Sequence, residues 1–228
     1  LEATRMLIQL LVAVSLLLAL TIFAPLYFRA GAVRGANWPA VLGYFACLGL
    51  GYIMIEIGLI QRLILLLGKP VYSLALSLSA MLFASGAGSY VGDRLERERL
   101  YRQLPRIIGA VALLLVVYAL FLPDLIQALL GAPFALRAAA AVTVVAVPAF
   151  LMGMPFPCAI RALGEKDRGE MIPWVWAING AMSVLASVGS IILAIQFGYT
   201  VVFLVGTACY LGASVLFRVW AARPAPAA

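Results

Sequence analysis

Long apolar runs, interrupted by prolines, glycines and short charged clusters, make up most of the sequence. A helix needs about 20 mainly apolar residues to cross the hydrocarbon core of a bilayer. The runs therefore predict seven membrane-spanning helices, at residues 6–28, 39–67, 71–91, 107–122, 134–156, 173–197 and 199–220. The predicted fold class is an all-α polytopic membrane helix bundle, with the lipid bilayer as its first partner. We expect a single transmembrane domain over residues 1–220 and a disordered tail over residues 221–228.

The composition supports a membrane protein and excludes several kinds of chemistry. Of the 228 residues, 65% are hydrophobic and 11% are charged, whereas a soluble domain carries about 25% charged residues. There is no histidine, which excludes histidine-ligated metals, bis-histidine haem and histidine-based acid–base catalysis and leaves only carboxylate-based catalysis within easy reach. The three cysteines lie far apart in or beside apolar runs and are expected to be packing residues. We expect no cofactor and no metal. We also expect no nucleic-acid partner, because a net charge of +7 in a membrane protein first indicates topology and contact with anionic lipid.

The basic residues are distributed unequally between the two sides of the predicted bundle. Four of the sixteen fall on one side: Arg5, Arg62, Lys69 and Arg137. The other twelve fall on the opposite side: Arg29, Arg34, the five arginines from Arg94 to Arg106, Arg161, Lys166, Arg168, Arg218 and Arg223. The positive-inside rule places this second set in the cytoplasm and the amino terminus outside. The four tryptophans also lie at span ends on that side, as in an interfacial aromatic belt: Trp38, Trp174, Trp176 and Trp220.

Glu56 is the one carboxylate well inside an apolar run. If the second span is helical from Pro39, Glu56 lies about 26 Å along it, toward the outer half, where an unpaired charge costs at least about 2.5 kcal/mol. Arg62 lies about 240° around the helix and is a poor partner, so Gln61 and, across the bundle, Arg137 are the candidates. Two interpretations stay open: a proton- or cation-binding carboxylate that lines a polar cavity, or a structural ion pair that joins two helices.

The end of the fifth span contains Pro148, Pro155 and Pro157. Each proline removes a backbone donor and clashes with the preceding turn, so we expect the helix to kink or stop there. Freed carbonyl groups are tolerated at membrane depth when they are buried in protein or face a wet cavity. The broken helix could therefore frame a binding site with Asn179 on the sixth span, or it could simply shape packing. The candidate polar cavity, offered to a cationic or amphipathic ligand, consists of Glu56, Gln61, Arg62, Arg137 and Asn179.

Small residues recur on one face of the third and sixth spans, as at Ala80, Ala84 and Gly88, and at Ser183 and Ser187. Such stripes allow helix backbones to approach one another closely. We expect them to serve tight packing within one bundle, with a dimer interface as the alternative.

The loop after the third span reads Gly88-Ser-Tyr-Val-Gly-Asp-Arg-Leu-Glu-Arg97. It resembles the G-x-x-x-D-R-x-G-R signature of major facilitator transporters, in which a carboxylate and arginines latch neighbouring helix ends on the cytoplasmic face. The resemblance gives this latching role to Asp93, Arg94 and Arg97. Ser89 and Glu96 depart from the pattern, because they stand where the family has glycines. If the first span is an extra leading helix, the other six form a transporter-like half, of which a complete carrier needs two.

A broader resemblance covers about residues 40–204. Several stretches resemble, in the expected order, the membrane module of bacterial spermidine-synthase-like proteins: Tyr44-Phe-Ala-Cys-Leu-Gly-Leu-Gly-Tyr-Ile-Met-Ile-Glu56 with Gln61-Arg62, Leu67-Gly-Lys-Pro-Val-Tyr-Ser73, Ser85-Gly-Ala-Gly-Ser89, Gly153-Met-Pro-Phe-Pro157 and Pro173-Trp-Val-Trp-Ala-Ile-Asn179-Gly. In that family a soluble aminopropyltransferase-like domain of the methyltransferase type is fused to hydrophobic segments. The nucleoside site of the soluble domain has no counterpart here, so the resemblance assigns no catalytic residue to this chain.

The expected function is therefore that of a non-catalytic module that holds an enzymatic domain or a partner complex at the bacterial inner membrane. Two alternatives stay open: a transporter-like half with Glu56 as the proton- or cation-coupled carboxylate, and an accessory subunit that packs through its small-residue stripes. The chain begins without methionine, and residues 6–28 lack the cationic start of a signal peptide, so we expect a longer polypeptide. A cytoplasmic domain directly before residue 6 would conflict with the charge distribution, unless one span is re-entrant or the domain lies elsewhere.

Overall fold

The structure is a computed structural model that describes residues 2–25, 28, 37–165 and 169–221. In these ranges every regular element is a helix and none is a strand. Seven helical stretches are long and apolar enough to cross a membrane, which confirms the predicted all-α polytopic bundle. The helices are α1 (Glu2–Leu18), α2 (Trp38–Leu67), α3 (Pro70–Asp93), α4 (Arg97–Leu129), α5 (Phe134–Gly153), α6 (Pro155–Glu165), α7 (Ile172–Phe197) and α8 (Tyr199–Ala221), with a π-helical turn at Ala19–Phe23 and a 3₁₀ turn at Gly169–Met171. Helices α5 and α6 together form the fifth span.

Prolines and glycines set several helix boundaries. Pro39, Pro70 and Pro173 lie in the first turns of α2, α3 and α7, where the missing N–H is not needed. Gly68, after α2, and Gly198, after α7, have φ angles of +76° and +83°, which favour glycine. Each of these glycines donates its N–H to the carbonyl oxygen four residues earlier, at 2.9 Å. Gly198 alone therefore joins the last two spans by a tight turn.

Two predicted boundaries differ from the structure. Helix α4 has 33 residues and continues through Pro105 and Pro123, beyond the predicted span of 107–122. Its arginine-rich start is helical because Leu100 and Leu104 on the opposite face are fully buried in the bundle. At the carboxyl end Ala221 belongs to α8, and the remainder of the predicted tail, residues 222–228, lies outside the described residues.

The fifth span breaks once and not at each of the three predicted prolines. Helix α5 continues through the buried Pro148 and ends at Gly153. Helix α6 begins at Pro155, after the single residue Met154. Pro157 lies in the first turn of α6, where the missing N–H leaves no helical hydrogen bond unmade. The helix therefore does not stop at Pro148, because a transmembrane helix accommodates an internal proline when neighbouring helices pack around it.

Helix α2 is the centre of the bundle. It packs along α8 and α7 and also contacts α3, while α3 packs on α5 and α4 packs on α8. The first span stands apart from this core, since its principal contact is α7 and its apolar window is not buried inside the bundle. The arrangement is thus one peripheral leading helix beside a core of six spans.

Helices α3 and α5 cross at very short range. A Cβ atom on Gly88 would overlap the backbone carbonyl oxygen of Phe150, and a Cβ atom on Gly153 would overlap that of Ser85. Ala80, on the same stripe of α3 as Gly88, is also buried. These small residues therefore serve packing within the chain, as the first interpretation of the stripe predicts.

One end of the bundle, here called the basic end, contains the starts of α2, α4 and α7, the ends of α3 and α8, and α6. Contacts across it include a hydrogen bond from Asn37 Nδ2 to the carbonyl oxygen of Val219, at 3.5 Å. The described basic residues of this end are Arg94, Arg97, Arg99, Arg102, Arg106, Arg161 and Arg218. Arg62, Lys69 and Arg137 belong to the opposite end. The remaining members of the predicted cytoplasmic set lie outside the described residues: Arg29, Arg34, Lys166, Arg168 and Arg223.

The four tryptophans do not form a uniform belt. Trp176 is 58% exposed, as an interfacial residue should be. Trp220 is fully buried, and its ring lies 5.0 Å from that of Phe217 and 6.4 Å from that of Tyr44. Trp220 thus lies at the end of its span, as predicted, but its side of α8 faces the bundle core.

Candidate functional site

Glu56 lies within α2, about 27 Å from the start of the helix, and its side chain is half-buried. No hydrogen bond or ion pair joins it to another residue that the structure describes. An unpaired carboxylate at membrane depth is costly unless it is neutral or binds a cation. Glu56 is therefore unusual among the described residues as a half-buried carboxylate without a hydrogen bond or ion pair.

Two hydrogen bonds join α2 to α3, one on each side of Glu56 along α2. Tyr52 donates its hydroxyl to Ser85 Oγ at 3.3 Å, and Ser73 donates its hydroxyl to the carbonyl oxygen of Ile60 at 2.5 Å. Tyr52, Glu56 and Ile60 follow one another at intervals of four residues and so share one face of α2. Glu56 therefore lies at the seam between α2 and α3.

The facing stretch of α3 carries further hydroxyl groups. Ser77 lies one turn after Ser73 and is 3% exposed, and its Oγ has no hydrogen-bond partner among the described residues. A carboxylate beside hydroxyl oxygens can hold a proton or a hard cation, whose preferred ligands are oxygens. No group of three or more cysteine, aspartate or glutamate side chains in the described part of the chain could hold a metal ion.

Arg62 is buried against α8 and is not a partner of Glu56. Its Nη2 donates to Thr200 Oγ1 at 2.7 Å, and its guanidinium carbon lies 5.3 Å from the centroid of the Phe203 ring. This agrees with the helical geometry, which places Arg62 on a different face of α2 from Glu56. Arg62 thus joins two helices at the end opposite the basic end.

Arg137 does not pair with Glu56 either. Its Nη1 donates to the carbonyl oxygen of Leu66 at 2.9 Å. That carbonyl is one of the last four of α2, which lack helical donors, and a cation there also interacts favourably with the helix dipole. Arg137 therefore caps α2 about 15 Å beyond Glu56. The predicted Glu56–Arg137 pair is wrong, because a nearer backbone acceptor takes the guanidinium.

Asn179 belongs to a different level of the bundle. Its Nδ2 donates to the carbonyl oxygen of Phe45 at 3.0 Å, near the basic end. The backbones are close there, since a Cβ atom on Gly49 would overlap the carbonyl oxygen of Asn179. Gln61 is half-buried and has no side-chain partner among the described residues. The five candidate cavity residues therefore spread along about 31 Å of α2, between the levels of Phe45 and Leu66, and the structure does not bring them into one cavity.

Residues from three of the spermidine-synthase-like stretches meet near the basic end. The fully buried Tyr44 donates its hydroxyl to the carbonyl oxygen of Pro155 at 2.9 Å. The ring centroids of Phe45 and Phe156 lie 5.1 Å apart, and those of Phe156 and Trp176 lie 4.5 Å apart. The break between α5 and α6 is therefore packed against α2 and α7. We call this set the motif cluster, and its members are Tyr44, Phe45, Pro155, Phe156, Trp176 and Asn179.

The loop after α3 is held by an arginine that the sequence does not single out. Arg161 of α6 donates to the carbonyl oxygens of Asp93 and Leu95, the latter at 2.5 Å, and its Nη1 lies 3.9 Å from Asp93 Oδ1. Arg94, directly after α3, instead lies over Tyr90 in the last turn of that helix, with 4.0 Å between the guanidinium carbon and the ring centroid. Arg97 begins α4, and its side chain lies outside the described part of the chain. Asp93 thus contacts a neighbouring helix end, through Arg161.

Sequence reasoning missed Tyr44 and Arg161 for different reasons. A tyrosine inside an apolar run needs a hydrogen-bond partner for its hydroxyl when it is buried, which is a signal that could have singled out Tyr44. Nothing local distinguishes Arg161 from the other arginines of the basic end. No protein-family model, no curated protein and no solved structure matches the chain.

Proposed function

We propose that the chain is a non-catalytic integral membrane module of a spermidine-synthase-like protein, and that it anchors an enzymatic domain or a partner complex at the bacterial inner membrane. The observation that supports this proposal is the motif cluster. Stretches of the resemblance that are far apart in sequence form one packed unit, joined by the Tyr44–Pro155 hydrogen bond and by the ring contacts of Phe156. Because the resembling stretches pack together, the resemblance concerns the arrangement of the helices. This is expected if the chain is the same kind of membrane module.

The test is to tag the gene product at its own locus, isolate the inner membrane and purify the protein in mild detergent. The proposal predicts an aminopropyltransferase-like soluble domain, either in the same polypeptide or as a stoichiometric partner. A Tyr44→Phe variant serves as the structural control, since it loses one buried hydrogen bond but no surface that a partner could contact. Purification of the chain alone, with no such domain attached, would overturn the proposal.

A second candidate function is supported by Glu56. A half-buried carboxylate without a described partner, one turn from Tyr52 on the face of α2 that contacts α3, suits a transporter-like half that binds a proton or a small cation. Glu56→Gln removes the charge and keeps the shape of the side chain. In proteoliposomes that contain a pH-sensitive dye, this variant should abolish proton-coupled uptake of spermidine. The matched control is Glu170→Gln, because Glu170 is exposed in the 3₁₀ turn. Uptake that persists in the Glu56→Gln variant would eliminate this candidate.

The third possibility, an accessory subunit, rests on packing surfaces. The small residues Ala80 and Gly88 are already used inside the chain. Co-elution with other membrane subunits in detergent would nevertheless favour this role, and a stable lone monomer would oppose it.

A further inference from the structure

The outward side of α4 has an unusual order of residues. Arg99, Arg102 and Arg106 fall within about 60° of one another on the helix, at its basic end. Leu113, Val117 and Leu120 continue within the same sector, and they are 68%, 41% and 60% exposed. Helix α4 therefore presents to the lipid one continuous side, whose arginines are followed directly by apolar residues.

The same sector ends with an acidic residue. Asp124 is exposed, follows Leu120 by one turn and lies about 27 Å from Arg106 along the helix. The hydrocarbon core of a bilayer is about 30 Å thick. Arg106 and Asp124 therefore mark the two boundaries of the hydrocarbon on α4, and Arg102 and Arg99 lie at the level of the headgroups.

The arginines of this sector differ in their protein partners. Arg99 Nε lies 2.7 Å from Glu96 Oε2, so its charge is partly neutralised. Arg102 and Arg106 are exposed and have no hydrogen bond or ion pair with any residue that the structure describes. Two guanidinium groups one turn apart, at the headgroup level, form a ready site for a phosphodiester, because arginine matches the geometry of phosphate oxygens.

The neighbouring helix α8 carries another exposed arginine of the basic end. Tyr101 of α4 stacks on Phe217 of α8, with 6.1 Å between ring centroids, and the exposed Arg218 follows Phe217 directly. Within the sector itself, Leu113 lies about 10 Å deeper than Arg106, within the depth of one leaflet of about 15 Å. A lipid whose phosphate contacts the arginines would therefore lay an acyl chain along Leu113.

We propose that the outward side of α4 is a binding site for an anionic phospholipid, with Arg102 and Arg106 holding the phosphate and Leu113 and Val117 lying along an acyl chain. A zwitterionic lipid offers the same phosphate with a compensating cation, so the site should discriminate by net charge. A basic residue near the surface favours an anionic lipid by about fivefold, so two of them should give a preference of about thirtyfold.

The experiment measures the binding of phosphatidylglycerol and phosphatidylcholine to delipidated protein in detergent by native mass spectrometry. Wild type should prefer phosphatidylglycerol by about thirtyfold, and Arg102→Gln/Arg106→Gln should lose that preference. The charge-preserving variant Arg102→Lys/Arg106→Lys should keep most of it. The matched control, Arg5→Gln/Lys69→Gln, removes two charges elsewhere and should leave the preference unchanged.

Three outcomes would overturn the proposal. The first is an equal affinity of the wild type for both lipids, and the second is an undiminished preference in Arg102→Gln/Arg106→Gln. The third concerns a free anion in place of a lipid. Excess inorganic phosphate should fail to displace phosphatidylglycerol, since the acyl chain contributes to binding, and displacement by phosphate alone would assign the arginines to a soluble anion. Circular dichroism and size-exclusion profiles that match the wild type keep the comparison valid for each variant.

Discussion

The crossing of α3 and α5 requires that Gly88 has no side chain, and this makes it a sensitive test of the bundle. In Gly88→Ala the new methyl group would overlap the carbonyl oxygen of Phe150, which is backbone and cannot rotate away. Relief requires that the two helices move apart. Gly86 lies half a turn away on the same helix, where a Cβ atom meets nothing within 4 Å. Gly86→Ala is therefore a matched control for the change in helix propensity.

The magnitude follows from two opposing effects. Alanine is more favourable than glycine in a helix by about 1 kcal/mol, so Gly86→Ala should be neutral or slightly stabilising. Overpacking costs about 1–3 kcal/mol, so Gly88→Ala should lower the free energy of unfolding relative to Gly86→Ala. For a protein of this size each kcal/mol corresponds to about 2–4 °C in Tm.

The assay is thermal unfolding in detergent, followed with a thiol-reactive fluorophore. Cys158 is fully buried and packs beside Gly92 near the same crossing, so it reacts when α3 and α6 separate. Gly88→Ala should melt several degrees below Gly86→Ala, by about 2–12 °C. Equal melting temperatures of the two variants would refute the close approach of α3 and α5.

Three further predictions follow from single contacts. Tyr44→Phe removes the hydroxyl that bonds the carbonyl oxygen of Pro155 and should lower the free energy of unfolding by about 1 kcal/mol, measured by denaturation in mixed detergent micelles. Arg137→Met removes the cation that caps α2 and should lower the melting temperature, while a Tm equal to that of wild type would mean that the cap contributes nothing. With the native cysteines replaced, Gly131→Cys should react with an impermeant maleimide in intact cells and Gly164→Cys only after permeabilisation; the reverse pattern would place the basic end outside.

The elements of this fold are predictable where one local signal decides them. The apolar runs locate the seven spans, and Gly198 between two runs leaves only a tight turn. Pro148 and Pro155 look alike in sequence, yet only Pro155 begins a helix, because the packing around each proline decides whether the freed carbonyl is tolerated. Local signals thus identify the helices. Whether a helix continues through a proline or ends there depends on the tertiary structure.

The partners of the polar side chains were less predictable. Tyr44 and the carbonyl of Pro155 are separated by 111 positions, and Arg137 and the carbonyl of Leu66 by 71. In both cases the acceptor is a backbone oxygen. Every residue has one, so the residue type does not indicate which oxygen will accept the hydrogen bond. The sequence therefore identified Glu56 as unusual and suggested Arg137 as its partner. In the tertiary structure Arg137 instead bonds the carbonyl oxygen of Leu66 at the end of α2.

The outward side of α4 also sets the depth of Glu56. The rings of Tyr44 and Tyr101 both lie against Phe217, at 5.7 and 6.1 Å between centroids, so α2 and α4 are level there. Arg106, which the proposed lipid site puts at the hydrocarbon boundary of the basic end, lies about 7.5 Å beyond Tyr101 along α4. Glu56 lies about 18 Å beyond Tyr44 along α2, hence about 10 Å inside that boundary and about 17 Å from the other.

With these proposed boundaries Glu56 lies nearer the centre of the bilayer than the depth measured from Pro39 places it. The expectation measured depth from Pro39 at the start of α2, whereas the second value is measured from Arg106 on α4. A carboxylate near the bilayer centre, with no cationic partner among the described residues, must be protonated or must hold a cation from solution. Glu56→Gln mimics the protonated state, so it should leave the stability of the bundle intact while it removes ion binding. Loss of stability in this variant would instead indicate a structural partner for the carboxylate.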